Sequence, residues 1–294
     1  ADIADRVSLD GFYRSIKPDI TIHMAAQALV LPSYKDPIET FRVNVMGTAT
    51  LLDVMQKVGA PQTVVIVTTD KVYENRETGH AYAETDALGG GDPYSASKAC
   101  AEIVAQSFIY SFAGESSVTV KTARAGNVIG GGDWSACRLV PDMVRAIASK
   151  QDIGIRRPDA VRPWQHVLEP LSGYLALAKR TYEVSASVPF DSFNFGPKME
   201  SCRPVGEIAE KFLAAWGEGY RLPPPGEKTV QPREALLLHL DATRARDVLD
   251  WWPRWGIDRA LKETADGYKA VLGQSPLRAI DMLTTQIVDY FQKS

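Results

Sequence analysis

Tyr94 and Lys98 stand four residues apart at the start of a predicted helix. Residues at this spacing share one helical face, so the Lys98 ammonium can lie close to the Tyr94 phenol. A nearby cation lowers the pKa of a phenol from about 10 toward neutrality, which makes the phenol a usable base. The same spacing also fits the first turn of an ordinary amphipathic helix, so further reactive groups must lie nearby before the pair indicates catalysis.

A second set of reactive side chains lies at the end of the apolar run TVVIVT, where Thr68, Thr69, Asp70 and Lys71 follow one another. Open α/β sheets bind their ligands beyond the carboxyl ends of the strands. A threonine hydroxyl there can hydrogen-bond a sugar oxygen, and an adjacent carboxylic acid and amine can act as acid and base. A turn with solvated charges is the alternative for each residue alone, but it explains poorly why so many reactive groups share the strand ends of one sheet.

The elements that must position these groups alternate between strands and helices. Continuous apolar runs predict buried strands, and apolar residues at helical spacing predict helices. Strands are predicted at residues 20–26, 63–68 and 118–125, and helices at 7–16, from 37 to about 59, and at 94–113. This alternation predicts right-handed crossovers in a doubly wound parallel sheet of the Rossmann-like α/β class.

The chain after about residue 130 predicts a smaller α/β lobe. Helices are predicted at residues 140–149, 169–184, 205–216 and 257–272, and short strands around Ile153, around Phe193 and at 236–241. We expect residues 1–130, with about 160–196, to form the dinucleotide-binding domain. Residues from about 131 to 159 and from 197 to 294 would form the substrate lobe.

A dinucleotide fold holds the pyrophosphate on a glycine-rich loop after its first strand. The glycine clusters at 89–91 and 130–132 lack that spacing, and the chain opens without Met, directly in a predicted helix. We therefore interpret the chain as lacking the first β-α-β portion of its fold through truncation. A natural protein without the loop is the alternative.

The composition excludes several classes of protein. Of the 294 residues, 45% are hydrophobic and 23% are charged, as in a globular protein. A net charge of −3 predicts no nucleic-acid partner, and no apolar run reaches the length of a membrane span. The cysteines and histidines are scattered, which predicts no metal site and no disulfide framework. Without a signal-peptide pattern at the start, we expect a cytoplasmic protein.

Several stretches together resemble the extended short-chain dehydrogenase/reductase family that acts on nucleotide sugars. They are HMAAQALVLPSY, NVMGT, TTDKVY, DPYSASKACAE, RAGNVIGGGDW, VRPWQHVLEPLSGYL and NFGP. Within that family they are similar to the CDP-glucose 4,6-dehydratases, over about residues 2 to 250. Asp70-Lys71 is the sharpest discriminator, because the related dTDP-glucose enzymes carry Asp-Glu at this point and sugar epimerases carry no acid/base pair there.

The resemblance implies NAD-dependent conversion of CDP-glucose to CDP-4-keto-6-deoxyglucose, for dideoxy-sugar and O-antigen biosynthesis. It implies that Tyr94 takes the proton of the 4-hydroxyl while NAD accepts hydride from carbon 4, and that Lys98 holds the nicotinamide ribose. Lys71 would remove the proton on carbon 5 and Asp70 would protonate the departing 6-hydroxyl. Hydride would then return to carbon 6, with Thr69 hydrogen-bonded to the oxygen on carbon 4.

The resemblance also implies binding residues and an oligomer. Those for NAD are Asp2, Ile3, Ala25, Ala26, Gln27, Asn44, Thr68, Tyr94 and Lys98. Those for the nucleotide sugar are Gln27, Thr69, Asn127, Arg162, Asn194 and Arg233. Arg162 has a physical argument of its own, because a guanidinium forks onto phosphate oxygens. A homodimer, or a dimer of dimers, would pair through the helices at 37–59 and 94–113.

Two departures and two alternatives accompany this interpretation. Leu31 stands where the family usually has Arg, at a position that bears on a substrate-phosphate contact, and Arg233-Glu234 stands where the family tends to have His-Glu, at a loop that bears on nucleotide specificity. The first alternative is an epimerase, or a dehydratase for another nucleotide sugar. The second is a non-catalytic NAD-binding protein of the same fold, which only the absent glycine loop supports.

Overall fold

The computed structural model describes residues 2–59, 62–112, 118–184, 191–217, 220, 222, 235–273 and 276–292. The chain divides into two compact units. Unit 1 comprises residues 1–125, 172–195 and 240–252, and unit 2 comprises residues 126–171, 196–239 and 253–294. The predicted domain bounds differ from these units. Residues 126–130 and 160–171 belong to unit 2, and residues 240–252 belong to unit 1. Which ligand each unit binds stays a prediction.

The elements of the described residues follow in chain order. The helices are α1 (Arg6–Ile16), α2 (Val30–Lys35), α3 (Pro37–Phe41), α4 (Gly47–Val58), α5 (Pro93–Phe112), α6 (Leu139–Ser149), α7 (Leu168–Val184), α8 (Val205–Trp216), α9 (Thr243–Leu249), α10 (Ile257–Leu272) and α11 (Pro276–Gln292). The strands are β1 (Ile20–His23), β2 (Gln62–Val67), β3 (Ala81–Tyr82), β4 (Val118–Ala125), β5 (Val128–Ile129), β6 (Val161–Pro163), β7 (Gln165–His166), β8 (Asp191–Phe195), β9 (Cys202–Pro204) and β10 (His239–Leu240). A π-helical turn spans Arg42–Met46, and 3-10 turns span Asp70–Val72 and Met199–Ser201.

Unit 1 is built on a parallel sheet of four strands in the order β1-β2-β4-β8. In its register Ile22 pairs with Val65, Val65 with Lys121, and Lys121 with Asp191. Val64, Val65 and Ile66 of β2 are buried, as expected for a parallel strand covered on both faces. This parallel sheet, with helices between its strands in the chain, confirms the predicted Rossmann-like α/β class.

Local signals in the sequence set the helices of unit 1. Asp5 caps α1 by accepting hydrogen bonds from two backbone amides of the first turn, and Lys17 ends the helix in the left-handed conformation. Asp36 accepts from Glu39 N at the start of α3, where Pro37 occupies the first turn. The single helix predicted from residue 37 is interrupted by the π-helical turn, a feature that apolar periodicity alone does not reveal.

Unit 2 buries an apolar core that includes side chains of α6, α8 and α10, among them Val144, Phe212 and Tyr268. The strand predicted around Ile153 is wrong: Ile153 is buried in this core by packing and pairs with no strand in the described residues. The strand predicted at 236–241 shortens to β10. Helix α11 was not predicted, and it lies beyond residues 2 to 250, over which the family resemblance extends.

Two further observations apply to the described residues. None of their helices combines the length and the apolar composition that crossing a membrane requires. They contain no group of three or more His, Cys, Asp or Glu placed to hold a metal ion.

Candidate active site

The segment that follows β2 holds the first group of candidate catalytic residues. Thr68 N donates to the Ala123 carbonyl (2.8 Å), which extends the β2–β4 pairing by one residue. The chain then makes a 3-10 turn that Thr69 caps, because its hydroxyl oxygen accepts from Lys71 N (3.4 Å) and its hydroxyl donates to Asp70 Oδ1 (3.0 Å). Thr69 and Asp70 are buried, Asp70 at 2% exposure, whereas Lys71 is partly exposed.

Helix α5 carries the second group. Asp92 precedes it and accepts hydrogen bonds from Ser95 N (3.0 Å) and Ser95 Oγ (2.6 Å), as a capping carboxylate does. Gly90 has φ 143°, and a Cβ there would lie 2.4 Å from Ala96 N, so only glycine lets the loop cross the helix start. Tyr94 N donates to Ser33 Oγ (3.1 Å), which ties the start of α5 to helix α2.

Lys98 lies one turn further along α5 and is 6% exposed. Its amine donates to the Val67 carbonyl at the end of β2 (3.0 Å). Burial lowers the pKa of Lys98 to about 8, against the attraction of Glu102, which raises it. The hydrogen bond holds the amine at the carboxyl edge of the sheet, beside the strand end that continues into Thr68 and Thr69.

Tyr174 belongs to the same neighbourhood and was missed by the sequence reasoning. It lies on α7, buried edge-on against Phe195 (ring centroids 5.5 Å apart). Burial raises the pKa of Tyr174, and interaction with Tyr94 and with Asp70 raises it further. A tyrosine in the apolar run SGYLAL looks like a core residue, so only the fold reveals its nearness to the reactive side chains.

A buried ion pair, also unpredicted, lies beneath the catalytic segment. Glu102 is 1% exposed and receives both Arg124 Nε and Nη2 at 2.9 Å. It also accepts from the hydroxyls of Thr68 (2.5 Å) and Thr122 (2.6 Å). Arg124 Nη1 also donates to the Tyr73 hydroxyl (2.9 Å). We call these five linked residues the Glu102 network: Glu102, Arg124, Thr68, Thr122 and Tyr73.

Two residues predicted to bind NAD or the sugar, Gln27 and Asn44, contact each other. Asn44 lies in the π-helical turn, where its side chain accepts from Gln27 N (2.8 Å) and donates to Gln27 O (3.0 Å) and to Ser97 Oγ (2.8 Å). The Gln27 side-chain amide donates to Leu29 O (3.1 Å) and Thr40 Oγ1 (2.9 Å). Asn44 therefore shapes the loop after β1, and a direct ligand contact of Gln27 stays a prediction.

The other predicted NAD contacts lie at more open positions. Ala25 is exposed and Ala26 is partly exposed at the carboxyl edge of the sheet beyond β1. The Asp2 carboxylate accepts from Ala4 N (2.9 Å) and from Arg42 Nη2 (2.9 Å), and the backbone bond to Ala4 and the bond to Arg42 lower the pKa of Asp2. Ile3 packs against Gly47 at the start of α4.

Thr68 and Asn194 have different surroundings from those expected. The Thr68 hydroxyl donates to Glu102 Oε1, and its contact with the cofactor stays a prediction. Asn194 is fully buried, donates both amide hydrogens to the carbonyls of Tyr82 (2.8 Å) and Asp241 (2.9 Å), and accepts from the Tyr73 hydroxyl (2.7 Å). These bonds make Asn194 a structural link within unit 1, and its contact with substrate stays a prediction.

Asn127 and Arg162 lie in unit 2. Arg162 is buried, and its Nη1 donates to the carbonyls of Val161 (2.9 Å) and Leu236 (3.2 Å), with Nη2 directed to Ala235 O. These contacts with the main chain differ from the predicted fork onto phosphate, which stays a prediction. Asn127 is partly buried and its carbonyl accepts from Gln165 N (3.0 Å). Arg233 lies outside the described residues.

Comparison with solved structures supports the fold. A double mutant of the dTDP-glucose 4,6-dehydratase DesIV from Streptomyces venezuelae, with NAD and DAU bound, superposes with a TM-score of 0.77 at 22% identity, over 95% of this chain and 81% of that one. The UDP-glucose 4-epimerase of Thermotoga maritima, with UDP-glucose, gives 0.75 at 19% identity, over 92% and 84%. At these identities the likeness establishes the fold alone.

Comparison of sequences establishes the family. The CDP-glucose 4,6-dehydratase of Salmonella typhimurium is 43% identical over 297 residues, covering 98% of this chain and 80% of that protein. A UDP-glucose 4-epimerase of Mycoplasma pneumoniae is 25% identical over 283 residues, covering 91% and 81%. The family described as GDP-mannose 4,6 dehydratase matches residues 1–264. This chain belongs to that family, within the extended short-chain dehydrogenases/reductases.

Proposed function

We propose that this protein is an NAD-dependent dehydratase that converts CDP-D-glucose to CDP-4-keto-6-deoxy-D-glucose. The observation that carries the proposal is the grouping of Asp70, Tyr94 and Lys98 at the carboxyl edge of one parallel sheet, with Lys71 next in the chain. The 43% identity with the Salmonella CDP-glucose 4,6-dehydratase, over nearly the whole chain, supports the choice of nucleotide sugar.

The residues divide the reaction between an oxidation and an elimination. Tyr94 accepts the proton of the 4-hydroxyl, and Lys98 supplies the positive charge that favours its phenolate. Thr69 donates a hydrogen bond to the oxygen on carbon 4 when substrate is bound, its hydroxyl hydrogen turning from Asp70 Oδ1 to that oxygen. Once carbon 4 is a ketone the proton on carbon 5 is acidic, and Lys71 removes it while Asp70 protonates the departing 6-hydroxyl.

The residues present fit the nicotinamide end of NAD. Ala25 and Ala26 leave the strand end free of bulky side chains, so a ligand can approach the backbone there. The Lys98 amine has three hydrogens and makes one hydrogen bond within the described residues, which leaves donors for ribose hydroxyls. When bound, NAD supplies the hydride acceptor for carbon 4 and the donor for carbon 6.

A separate set of residues binds the nucleotide part of the substrate. In this proposal Asn127, Arg162 and Arg233 bind the nucleotide diphosphate. Arg162 exchanges carbonyl contacts for phosphate oxygens when the substrate binds, because a guanidinium pairs more strongly with an anion. The proposal also places the protein in the cytoplasm as a homodimer or a dimer of dimers.

The test is incubation with NAD and one nucleotide sugar at a time, namely CDP-glucose, dTDP-glucose, UDP-glucose and GDP-mannose. We expect CDP-glucose to be converted fastest, to a product that has lost one water and carries a 4-keto group, as measured by mass spectrometry and NMR. Conversion of dTDP-glucose alone would contradict the substrate. An epimer formed without loss of water would contradict the reaction.

A further inference from the structure

Glu102 stands on the same face of α5 as Tyr94 and Lys98, at successive intervals of four residues. Its carboxylate is 1% exposed and accepts four hydrogen bonds, two from Arg124 and one each from Thr68 and Thr122. A carboxylate with two oxygens can accept about this number, so its capacity is essentially filled. One of the four bonds comes from Thr68, the residue immediately before Thr69.

Arg124 extends the same network to the other end of the catalytic segment. It is 3% exposed, and its Nη1 donates to the Tyr73 hydroxyl (2.9 Å), which lies two residues after Lys71. Its guanidinium also lies over the Tyr73 ring, 5.0 Å from the centroid. The Tyr73 hydroxyl in turn donates to Asn194 on β8 (2.7 Å). Thr68 and Tyr73 therefore bracket residues 69–71, and both are bonded to one ion pair.

This arrangement matters because residues 69–71 carry three of the proposed catalytic side chains on one short 3-10 turn. The turn is held locally by the Thr69 hydroxyl, through Asp70 Oδ1 and Lys71 N. A side chain that acts in proton transfer must be held within a fraction of an ångström of its productive position. The bonds to Thr68 and Tyr73 supply that constraint from outside the turn. Because Glu102 lies on α5, they also fix the position of the turn relative to the helix that carries Tyr94.

We infer that the Glu102–Arg124 ion pair is a positioning clamp. Through its hydrogen bonds to Thr68 and Tyr73, which we call its two arms, it fixes the position of the Asp70–Lys71 turn relative to Tyr94 and Lys98. The inference rests on the proposed function for the reaction that the clamp serves. Glu102 and Arg124 do not act on the sugar. They fix where the acid and base of the elimination stand relative to the base of the oxidation.

The experiment compares Thr68→Val, Tyr73→Phe and Glu102→Gln with the parent protein. Thr68→Val and Tyr73→Phe each remove one arm of the clamp with almost no change of shape. Glu102→Gln removes the charge and leaves Arg124 buried without its partner, so it is the variant that could fail to fold. The two single-arm variants keep the inference testable in that case.

The matched control is Lys121→Met. Lys121 is also buried and lies on β4 with Arg124, but its ion pair is with Asp191 (3.1 Å), which lies outside the 68–73 segment. Its replacement therefore reports the cost of losing a buried ammonium and its ion pair in the same sheet, with both arms of the clamp intact.

The first readout is hydrogen–deuterium exchange of the protein without added ligand. We expect peptides that cover residues 68–73 to exchange faster in the three clamp variants and to be unchanged in Lys121→Met. Unchanged exchange in that segment in Thr68→Val and Tyr73→Phe would overturn the inference. This measurement does not depend on the identity of the substrate, so its failure is distinguishable from failure of the proposed function.

The second readout is the steady-state reaction with CDP-glucose. For the single-arm variants we expect kcat to fall by roughly tenfold, and for Glu102→Gln by roughly a hundredfold, as a displacement of about 1 Å causes. The KM for CDP-glucose should change by less than about threefold, because the clamp residues do not bind it. A rise in KM at constant kcat, or an equal loss of kcat in Lys121→Met, would refute positioning.

Discussion

Replacing Lys98 by Met should abolish activity and at the same time stabilise the protein. The amine is 6% exposed, and burial lowers its pKa from 10.5 to about 8. Each pKa unit corresponds to about 1.4 kcal/mol, so holding this ammonium in the folded protein at neutral pH costs roughly 3 kcal/mol. Met fills nearly the same space without the charge.

Part of that gain is offset by the lost hydrogen bond to the Val67 carbonyl. A bond from a charged donor contributes about 1.5–3 kcal/mol. The net effect near neutral pH is then a gain of about 1 kcal/mol, which corresponds to a rise in Tm of about 2–4 °C for a domain of this size. The sign, and not the size, is the critical outcome, because most substitutions of buried residues destabilise.

The pH dependence gives a second check with a definite sign. The folded-state pKa lies below the unfolded value, so the unfolded protein binds more protons between about pH 8 and 10.5. The cost of the ammonium is fully present below about pH 8 and is lost as the pH rises through this window. The parent protein should therefore become more stable relative to Lys98→Met as the pH rises toward about 10.

The assay is urea unfolding of both proteins at several pH values, followed by tryptophan fluorescence, with Lys57→Met as a control. Lys57 is half exposed and pairs with Asp53 on the surface of α4, so its replacement should change stability little. If Lys98→Met is less stable than the parent near neutral pH, and the difference does not depend on pH, the assignment of Lys98 as a buried, destabilising ammonium is refuted.

Three further substitutions separate the roles of the other residues. Lys71→Ala should oxidise carbon 4 but fail to eliminate water, so that kcat for dehydration falls by about 10²–10⁴-fold. Reduced nicotinamide should accumulate on the protein, as measured by its absorbance. Normal dehydration by this variant would contradict the assignment of Lys71 as the base. Tyr94→Phe should lose the oxidation as well, so that no reduced nicotinamide appears on mixing with CDP-glucose, and its appearance at the parent rate would reassign the first base. Asn194→Ala should lower the free energy of unfolding by about 2–3 kcal/mol, because it removes three buried side-chain hydrogen bonds, those to the carbonyls of residues 82 and 241 and that from the Tyr73 hydroxyl. The KM for CDP-glucose should stay nearly constant, and a large increase in KM without loss of stability would support a substrate role.

The candidate catalytic residues could be predicted from the sequence because the patterns that indicate them are local. Tyr94 and Lys98 fall on one helical face by spacing alone, and the apolar run before Thr68 predicts a buried strand whose end faces a ligand. Strand and helix positions in unit 1 follow from the same short-range patterns. Local patterns work here because hydrophobic periodicity is set by backbone geometry before any tertiary contact forms.

The surroundings of the predicted binding residues have the opposite origin. Asn194 is predicted to contact substrate and Arg162 to contact phosphate, and in the fold each bonds backbone carbonyls distant in sequence. A motif shows which residue type stands at a position but not which groups surround it. Hydrogen-bond partners 40 to 120 residues away become evident only when the chain is folded.

The amino-acid sequence by itself determined the parallel α/β architecture, the reactive residues and the family to which they belong. Only the tertiary structure decided how those residues are held. Glu102 reads in the sequence as one charge on an alanine-rich helix, but in the fold it is a buried anion bonded to Arg124, 22 residues away. A buried charge requires a partner of opposite sign, and which partner it finds depends on how strands and helices pack. Local periodicity cannot encode that choice.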